Sequence, residues 1–290
     1  MKKLIFMFLS LLCFSCSKDQ VSKNSSSQSI QSFNYNNINR TYSIYVPSGY
    51  NGTVALPLIL NFHGFGGDIK EYKTYASMEA LAERENFILV YPQGTLTNGF
   101  THWNPSLPST TNKSNADDLG FIENLIQDLS NNYVINSKRI YACGYSNGAM
   151  MSFGLANHKS NLIAAVASVS GAMLETQISS NHPLPVLMLH GTSDGVLPYF
   201  GSNNYNSVES TLNFWMNFNS TDSIANSNVI SSNGITIQYD FYGSGTNDVS
   251  VEHYKINNGG HEWFNLNFNG KNTDELIWEF FSKYDIDGLL

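Results

Sequence analysis

Cysteine is scarce in this chain of 290 residues, where it occurs only as Cys13, Cys16 and Cys143. If the first two are removed or modified together with an N-terminal targeting segment, Cys143 stands alone and the mature chain forms no internal disulfide. A domain of this length does not need one, because it can bury a large core. Cys143 lies in an apolar stretch, which predicts a buried core thiol.

Positive charge is also scarce. The chain has 15 Lys and Arg against 23 Asp and Glu, a formal net charge of −8, and no Lys/Arg-rich run in its body. Nucleic acids and anionic membrane surfaces require a basic footprint, so the composition disfavours both as partners. Hydrophobic residues make up 42% and charged residues 13% of the chain, which is typical of a globular protein with a hydroxyl- and amide-rich surface. A neutral ligand such as a sugar or an ester is favoured.

The apolar run at the N-terminus, Leu4 to Phe14, is short for spanning a bilayer. It follows the basic Met1-Lys2-Lys3 and precedes Cys16, which has a small serine before it, so the segment resembles a bacterial lipoprotein signal. Cys13 is the rival cleavage site, but a bulky leucine precedes it. We therefore predict a signal peptide over residues 1–16 with Cys16 lipidated, and an extracytoplasmic protein anchored at the cell envelope or surface. Ordinary secretion is the alternative.

The rest of the chain divides into a tether and one domain. Residues 17–32 are rich in Ser, Asn, Gln and Lys and predict a flexible tether, and residues 33–290 contain no second linker. A first strand, Arg40 to Val46, alternates in polarity and predicts an antiparallel position. Continuous apolar runs, typical of a parallel sheet covered on both faces, occur at Leu56–Phe62, Phe87–Tyr91, Arg139–Cys143, Ile163–Val169, Val186–Leu189 and Val249–Ile256.

Helical patterns lie between these strands. Apolar residues recur at helical spacing over Tyr72–Glu85, Asp118–Tyr133, Asn147–Asn157, Val208–Phe218 and Thr273–Tyr284. Because strands and helices alternate, the sequence predicts an α/β fold with a mostly parallel central sheet and helices on both faces.

A candidate nucleophile lies in Gly144-Tyr-Ser146-Asn-Gly148, a G-x-S-x-G pattern. The pentapeptide alone is common by chance. Its context is more specific, because a predicted strand precedes it and a predicted helix follows it, as a nucleophile elbow requires. The alternative is an ordinary Gly-Ser turn.

A serine hydroxyl needs a base, and in this geometry the base follows the acid in sequence. His261 comes after Gly259-Gly260, beyond the last predicted strand, on a loop that can reach the carboxyl edge of the sheet. His253 falls inside a strand, where we expect a half-buried or exposed position. Asp194 ends a strand and is the preferred acid, although an Asp-Gly turn is its alternative role. Its competitors in less suitable positions are Glu175, Glu209, Asp222, Asp240 and Asp248.

The transition state of acyl transfer also needs donors to its oxyanion. We predict the backbone amide of Asn147, directly after the nucleophile, and that of Phe65 in the glycine-rich stretch His63-Gly-Phe-Gly-Gly67.

Taken together, these segments resemble the polyhydroxybutyrate-depolymerase-like esterases, which include feruloyl and acetylxylan esterases. The resemblance runs from about Tyr35 to Phe281. Its matching stretches are Arg40-Thr-Tyr, Pro57-Leu-Ile-Leu with His63-Gly64, Tyr91-Pro-Gln-Gly94, Trp103-Asn104, Asp117-Asp-Leu-Gly-Phe121, Arg139-Ile-Tyr-Ala-Cys-Gly-Tyr-Ser-Asn-Gly-Ala-Met-Met151, His190-Gly-Thr-Ser-Asp194 with Pro198-Tyr199, and Gly260-His-Glu-Trp263.

The resemblance implies an α/β-hydrolase fold, no metal or other cofactor, and ester hydrolysis through an acyl-enzyme on Ser146, Asp194 and His261. The chain departs from many relatives in lacking cysteines near these loops and in having Phe264-Asn265 after Trp263, where relatives often have Pro-Gly. Trp103 and Trp263 are candidate substrate-binding residues, with ordinary packing as the alternative, and capping is the default role of Asp117 and Asp118.

Three functions remain open at this point. The first is a surface-anchored esterase, expected as a monomer, that removes acetyl or feruloyl groups from a plant cell-wall oligosaccharide or polysaccharide. The second is a polyhydroxybutyrate depolymerase or another polyester or lipid esterase. The third is a non-catalytic binding lipoprotein, which would be expected to lack a member of the triad; this chain has all three.

Overall fold

The structure, a computed structural model, describes residues 30–110, 112–175, 180, 182–232 and 234–290. The predicted signal peptide with Cys16, and the tether up to residue 29, lie outside these residues. The strands are β1 (Ile30–Tyr35), β2 (Ile38–Tyr45), β3 (Leu56–Phe62), β4 (Ile88–Pro92), β5 (Thr95–Thr97), β6 (Phe100–His102), β7 (Ile135–Tyr145), β8 (Ala165–Val169), β9 (Val186–Gly191), β10 (Asn226–Ser232), β11 (Ile235–Tyr242), β12 (Val251–Asn257), β13 (Tyr284–Asp285) and β14 (Gly288–Leu289). The helices are α1 (Ile69–Tyr72), α2 (Glu79–Glu85), α3 (Asp118–Asn132), α4 (Asn147–His158), α5 (Val208–Asn219) and α6 (Thr273–Phe281).

Across the described residues, one ten-stranded sheet has the order β1-β2-β4-β3-β7-β8-β9-β12-β11-β10. The strands from β4 to β12 in this order pair in parallel, and the pairs at both ends of the sheet are antiparallel. Helices cover both faces. In β3, Leu58, Leu60 and Phe62 join the core under α3, α4 and α5, whereas Ile59 joins the core under α1, α2 and α6. This two-sided burial explains the continuous apolar runs and confirms the predicted fold class.

Two of the predicted boundaries that the structure corrects have an identifiable cause. The segment Tyr72–Glu85 is not one helix, because the Tyr91 hydroxyl accepts from the Met78 amide and donates to the Ala76 carbonyl, replacing helical hydrogen bonds between α1 and α2. The tether prediction extends three residues too far, since β1 already begins at Ile30 and pairs with β2.

The hairpin of β10 and β11 has no counterpart among the predicted apolar runs. The two strands lie at one end of the sheet and are partly exposed, so polar residues such as Asn226 and Asn228 interrupt the apolar pattern.

Cys143 in β7 is a buried free thiol, as predicted. None of the helices in the described ranges is long and apolar enough to cross a membrane.

Asp117 and Asp118 have different roles. Asp117 caps α3, since its carboxylate accepts from the Gly120 amide. Asp118 instead forms a buried ion pair with Arg40, with 2.7 Å between Nη2 and Oδ1. The capping prediction is therefore correct for Asp117 and wrong for Asp118, which joins the opening strand to α3.

Candidate active site

Ser146 lies in a sharp turn between β7 and α4. Its backbone has φ 55° and ψ −117°, a conformation that non-glycine residues rarely adopt. The turn is held by a hydrogen bond from the Ser146 amide to the Val169 carbonyl on β8. A methyl group at Gly148 would overlap the backbone oxygens of Phe62 and His63, where β3 ends, and one at Gly144 would overlap Gly148 itself. The two glycines of the pentapeptide are thus required by close backbone approach, which places the serine hydroxyl at the carboxyl end of the sheet.

The structure brings the three predicted triad residues together. His261 Nε2 lies 2.8 Å from Ser146 Oγ, and His261 Nδ1 lies 2.8 Å from Asp194 Oδ2. Asp194 follows β9 and His261 follows β12, which are adjacent parallel strands, so their loops leave the same edge of the sheet. One imidazole can therefore accept a proton from the serine while it donates its other N–H to the carboxylate.

The Asp194 carboxylate is held by several donors. Oδ1 accepts from the backbone amides of Val196 and Leu197, each at 2.8 Å. Burial acts to raise the pKa of Asp194, but hydrogen bonds from His190, His261 and these two amides outweigh it and hold the pKa well below its usual value. The residue is an anion at any pH at which the protein is expected to work.

His190 belongs to this arrangement, although it was not selected from the sequence. Its Nε2 lies 3.2 Å from Asp194 Oδ2 and 2.8 Å from the Leu197 carbonyl, and its side chain is buried. Its Nε2 thus contacts the same carboxylate oxygen as His261 Nδ1 and helps to hold Asp194 in place. The only sequence signal that could have identified His190 is its position four residues before Asp194. Tyr145 was also missed; its hydroxyl donates to the His261 carbonyl at 2.8 Å.

The predicted oxyanion donors belong to segments next to Ser146: Asn147 follows it directly, and Phe65 follows Gly64, where an added Cβ would lie 3.5 Å from the Ser146 Cβ. Among hydrogen bonds within the described residues, none is donated by the Phe65 or the Asn147 amide. The loop that carries Phe65 is fixed by His63, whose Nδ1 donates to the Gly64 carbonyl and whose Nε2 accepts from the Gly94 amide. Burial lowers the pKa of His63 to about 4, so its ring stays neutral and keeps both bonds.

Trp103 does not face the substrate, and the prediction that its ring binds substrate is wrong. The side chain is 1% exposed and packs edge-on against Phe62 at 5.1 Å. Its Nε1 donates to the His63 carbonyl, and its backbone N–H and C=O bond the Asn147 side chain. Because Trp103 bonds both segments that carry the oxyanion donors, its role in this structure is to hold them in register.

This position predicts an effect on turnover rather than on substrate binding. We expect Trp103→Phe to lower kcat about ten- to hundredfold with little change in KM, since a displaced oxyanion donor costs less than the roughly 10²–10³-fold of a lost one. Steady-state kinetics on methyl ferulate test this. Trp278→Phe is the matched control, because it also removes an indole hydrogen bond, to Glu85, away from the triad. An increase in KM at constant kcat would instead indicate contact with the substrate.

Trp263 is half-buried and only partly available. Its Nε1 donates to Asp274, and its ring packs edge-on against Tyr72 at 5.9 Å. Burial raises the pKa of Asp274 to about 7, although the hydrogen bond from Trp263 acts to lower it.

His253 was expected to be half-buried or exposed and is instead 1% exposed, with its ring between the Tyr199 hydroxyl and the Met188 carbonyl. It bonds no triad member.

Exposed aromatic rings near Ser146 come from other residues. Phe65 and Phe100 are 59% and 56% exposed, and their ring centroids lie 5.5 Å apart. Phe100 comes from the short hairpin of β5 and β6, which is tied to the oxyanion loop by the bond from the Gly66 amide to the Thr101 carbonyl. This pair lies beside the predicted oxyanion site.

In the part of the chain that the structure describes, no cluster of three or more His, Cys, Asp or Glu side chains could hold a metal.

Comparison with known proteins places the chain among esterases. A bifunctional acetylxylan esterase/xylanase of Neocallimastix patriciarum is 28% identical over 86% of this chain and 34% of its own length. Feruloyl esterase D of Neurospora crassa is 30% identical over 57% of this chain and 56% of its own length. The chain thus spans about a third to just over half of these two relatives. Feruloyl esterase C of Emericella nidulans is 26% identical over 85% of both chains.

Solved structures show the same fold. An acetyl xylan esterase from Aspergillus awamori superposes with a TM-score of 0.61 at 18% identity, covering 88% of this chain and 99% of that one. A family model described as phospholipase/carboxylesterase matches residues 53–233, more than half of the chain, and this match confirms the prediction of an enzyme of the carboxylesterase class. The fold, the elbow at Ser146 and this match lead to one conclusion: the chain belongs to the phospholipase/carboxylesterase family of α/β-hydrolases.

Proposed function

We propose that this protein is a serine esterase that removes acetyl or feruloyl groups from plant polysaccharide through an acyl-enzyme. The observation that carries the proposal is the continuous relay from Ser146 Oγ through the His261 ring to Asp194, with 2.8 Å at each step. The names of the relatives support the substrate class, because they are acetylxylan and feruloyl esterases.

The geometry supports a two-step reaction. His261 Nε2 takes the Ser146 proton as Oγ attacks the ester carbonyl carbon, and the amides of Phe65 and Asn147 donate to the resulting oxyanion. His261 then gives the proton to the alcohol oxygen as the C–O bond breaks, leaving the acyl group on Ser146. Water, deprotonated by the same nitrogen, attacks the acyl carbon, and as the bond to Ser146 Oγ breaks, His261 returns the proton to Oγ and the acid is released. Asp194 stays ionised throughout and stabilises the imidazolium.

The acyl side is served by the exposed Phe65 and Phe100 rings rather than by the two tryptophans. Their exposed ring faces, tilted by 30° to each other, suit a hydroxycinnamoyl ring. We expect Phe100→Ala to lower kcat/KM for methyl ferulate severalfold and to leave 4-nitrophenyl acetate almost unchanged. Leu96→Ala is the control, since Leu96 is 70% exposed on the same hairpin. Equal losses on both esters would contradict an acyl-specific role.

A polyester or lipid esterase is the second candidate. Val196 and Phe200, near Asp194 in sequence, are 60% and 78% exposed, and such apolar surface favours a hydrophobic substrate. The experiment compares kcat/KM on a feruloylated or acetylated xylo-oligosaccharide with that on a soluble hydroxybutyrate trimer. We expect the xylo-oligosaccharide to be preferred. Preference for the trimer would overturn the polysaccharide proposal and retain the esterase.

We also propose that the protein acts outside the cytoplasm, held at a membrane by a lipid on Cys16. The support is the basic start, the short apolar run and the small residue before Cys16. Cys16→Ser is expected to move the esterase from the membrane fraction to the soluble fraction with its activity intact, and Cys13→Ser is the matched control. Wild-type protein found free of the membrane would contradict the anchor.

A further inference from the structure

A cavity among the described residues lies away from the triad. It has a volume of about 350 Å³ and is bounded on one side by β10, β11 and β12, and on the other by α6 and the loop that precedes it. This size falls within the roughly 300–1,000 Å³ of small-molecule sites. No triad residue lines it. With about 4.8 Å between neighbouring strands, β11 lies about 20 Å across the sheet from β7 and the Ser146 elbow.

The sheet side of the cavity consists of two cross-strand rows. In one row, Asn228 pairs with Tyr239, which pairs with Tyr254; in the other, Asn226 pairs with Phe241, which pairs with Glu252. Both rows face the cavity. Each row therefore begins with an asparagine on the edge strand β10 and has an aromatic ring on the next strand, β11.

The aromatic centre leaves one ring available. Tyr239 and Tyr254 pack against each other at 4.7 Å, and Phe268 packs against both. Phe241 is half-buried and makes no ring contact within the described residues. The Phe241 ring can therefore stack on the apolar face of a ligand, next to a wall of packed aromatics.

The polar groups balance in charge. Lys283 Nζ lies 3.1 Å from Glu252 Oε1, and Lys271 Nζ lies 2.6 Å from Glu279 Oε1, so each cation in the lining is paired with an anion. The side-chain amides of Asn226 and Asn228 make no hydrogen bond to any other described residue. An amide offers both donors and an acceptor, which matches a hydroxyl group. The lining thus suits a neutral, polyhydroxylated ligand with an apolar ring face.

We infer that this cavity is a second, non-catalytic binding site for a neutral saccharide chain. A sugar ring stacks on Phe241, its hydroxyls bond the amides of Asn226 and Asn228, and Glu252 with Lys283 closes the inner end. Such a site would hold a polysaccharide on the enzyme between successive cleavages of its ester groups. It deepens the proposed function, on which its biological purpose rests, but its binding can be measured without any catalysis.

The test uses the Ser146→Ala protein and unesterified oligosaccharides, so that binding is separated from hydrolysis. Calorimetric titration with xylohexaose, and with cellohexaose as a second neutral chain, is expected to show saturable binding of at least one. Asn228→Ala and Phe241→Ala in this background should raise Kd tenfold or more. Val229→Ala is the matched control, because Val229 is the next residue of β10, is exposed and does not line the cavity. Asn228 is exposed, so its variant decides the result if Phe241→Ala is unstable.

Two outcomes would overturn the inference. One is no saturable binding of either sugar, and the other is binding that survives both cavity substitutions, which would locate the sugar elsewhere. The proposed function fails separately, if the wild-type enzyme binds sugar but hydrolyses no ester. In the wild-type background, Asn228→Ala should slow release of ferulate from a feruloylated polymer while leaving methyl ferulate unaffected.

Discussion

Ser146→Ala is expected to lower kcat for methyl ferulate by at least about four orders of magnitude while the protein remains folded. The substitution deletes the hydroxyl to which His261 Nε2 is bonded and nothing else. The backbone stays in the same positive-φ turn, because alanine and serine bear the same Cβ and the surrounding close approaches involve Gly144 and Gly148. Residual turnover would come from the oxyanion amides and substrate binding alone.

Ser152→Ala is the matched control for this experiment. Ser152 lies in α4, the helix that begins directly after Ser146, is buried, and donates its hydroxyl to the Gly148 carbonyl rather than to a histidine. We expect its kcat within severalfold of the wild type. Circular dichroism and thermal melting of both variants report folding. If Ser146→Ala keeps a rate within tenfold of the wild type, the nucleophile has been misassigned.

Asp194→Asn is expected to lower kcat by about 10⁴ while leaving the site almost unchanged in shape. The asparagine oxygen can still accept from the Val196 and Leu197 amides, so its NH₂ group would face His261 and His190. His261 Nδ1 must then accept a hydrogen bond, which moves its proton to Nε2. In that tautomer the ring donates to Ser146 Oγ and cannot take its proton.

Asp194→Asn should also change how the thermal stability of the protein depends on pH in the acid range. Hydrogen bonds hold the pKa of Asp194 below that of an unfolded aspartate, so the folded state binds fewer protons and gains stability above the unfolded pKa. That contribution disappears as the pH falls through the acid range, and Asp194→Asn should flatten this part of the curve of Tm against pH. Asp240→Asn is the control for the rate and should keep the wild-type kcat, because it replaces another buried carboxylate that accepts hydrogen bonds, from Ser227 and Gln238. A wild-type rate in Asp194→Asn would remove Asp194 from the triad.

The sequence predicts an element well where the residue types of that element directly reflect its burial. Continuous apolar runs marked β3 to within a residue at each end, because a strand buried on both faces admits few polar side chains. The edge hairpin of β10 and β11 was missed for the same reason: its polar residues face solvent and the cavity, so its pattern resembles that of a loop. The break between α1 and α2 depends on the Tyr91 hydroxyl, which reaches Ala76 and Met78 from another strand.

The sequence by itself determined the order of the chemistry: a serine between glycines after a strand, then an aspartate, then a histidine, each at the end of a parallel strand. Chain order and strand ends suffice here, because parallel strands present their carboxyl ends at one edge. Only the tertiary structure decided how far the two candidate tryptophans are buried. It also decided that His190 contacts Asp194 and that Phe65 and Phe100 form an exposed aromatic pair. Burial of a given side chain depends on segments far apart in sequence, as the bonds of Trp103 to His63 and Asn147 illustrate, and no local pattern encodes those contacts.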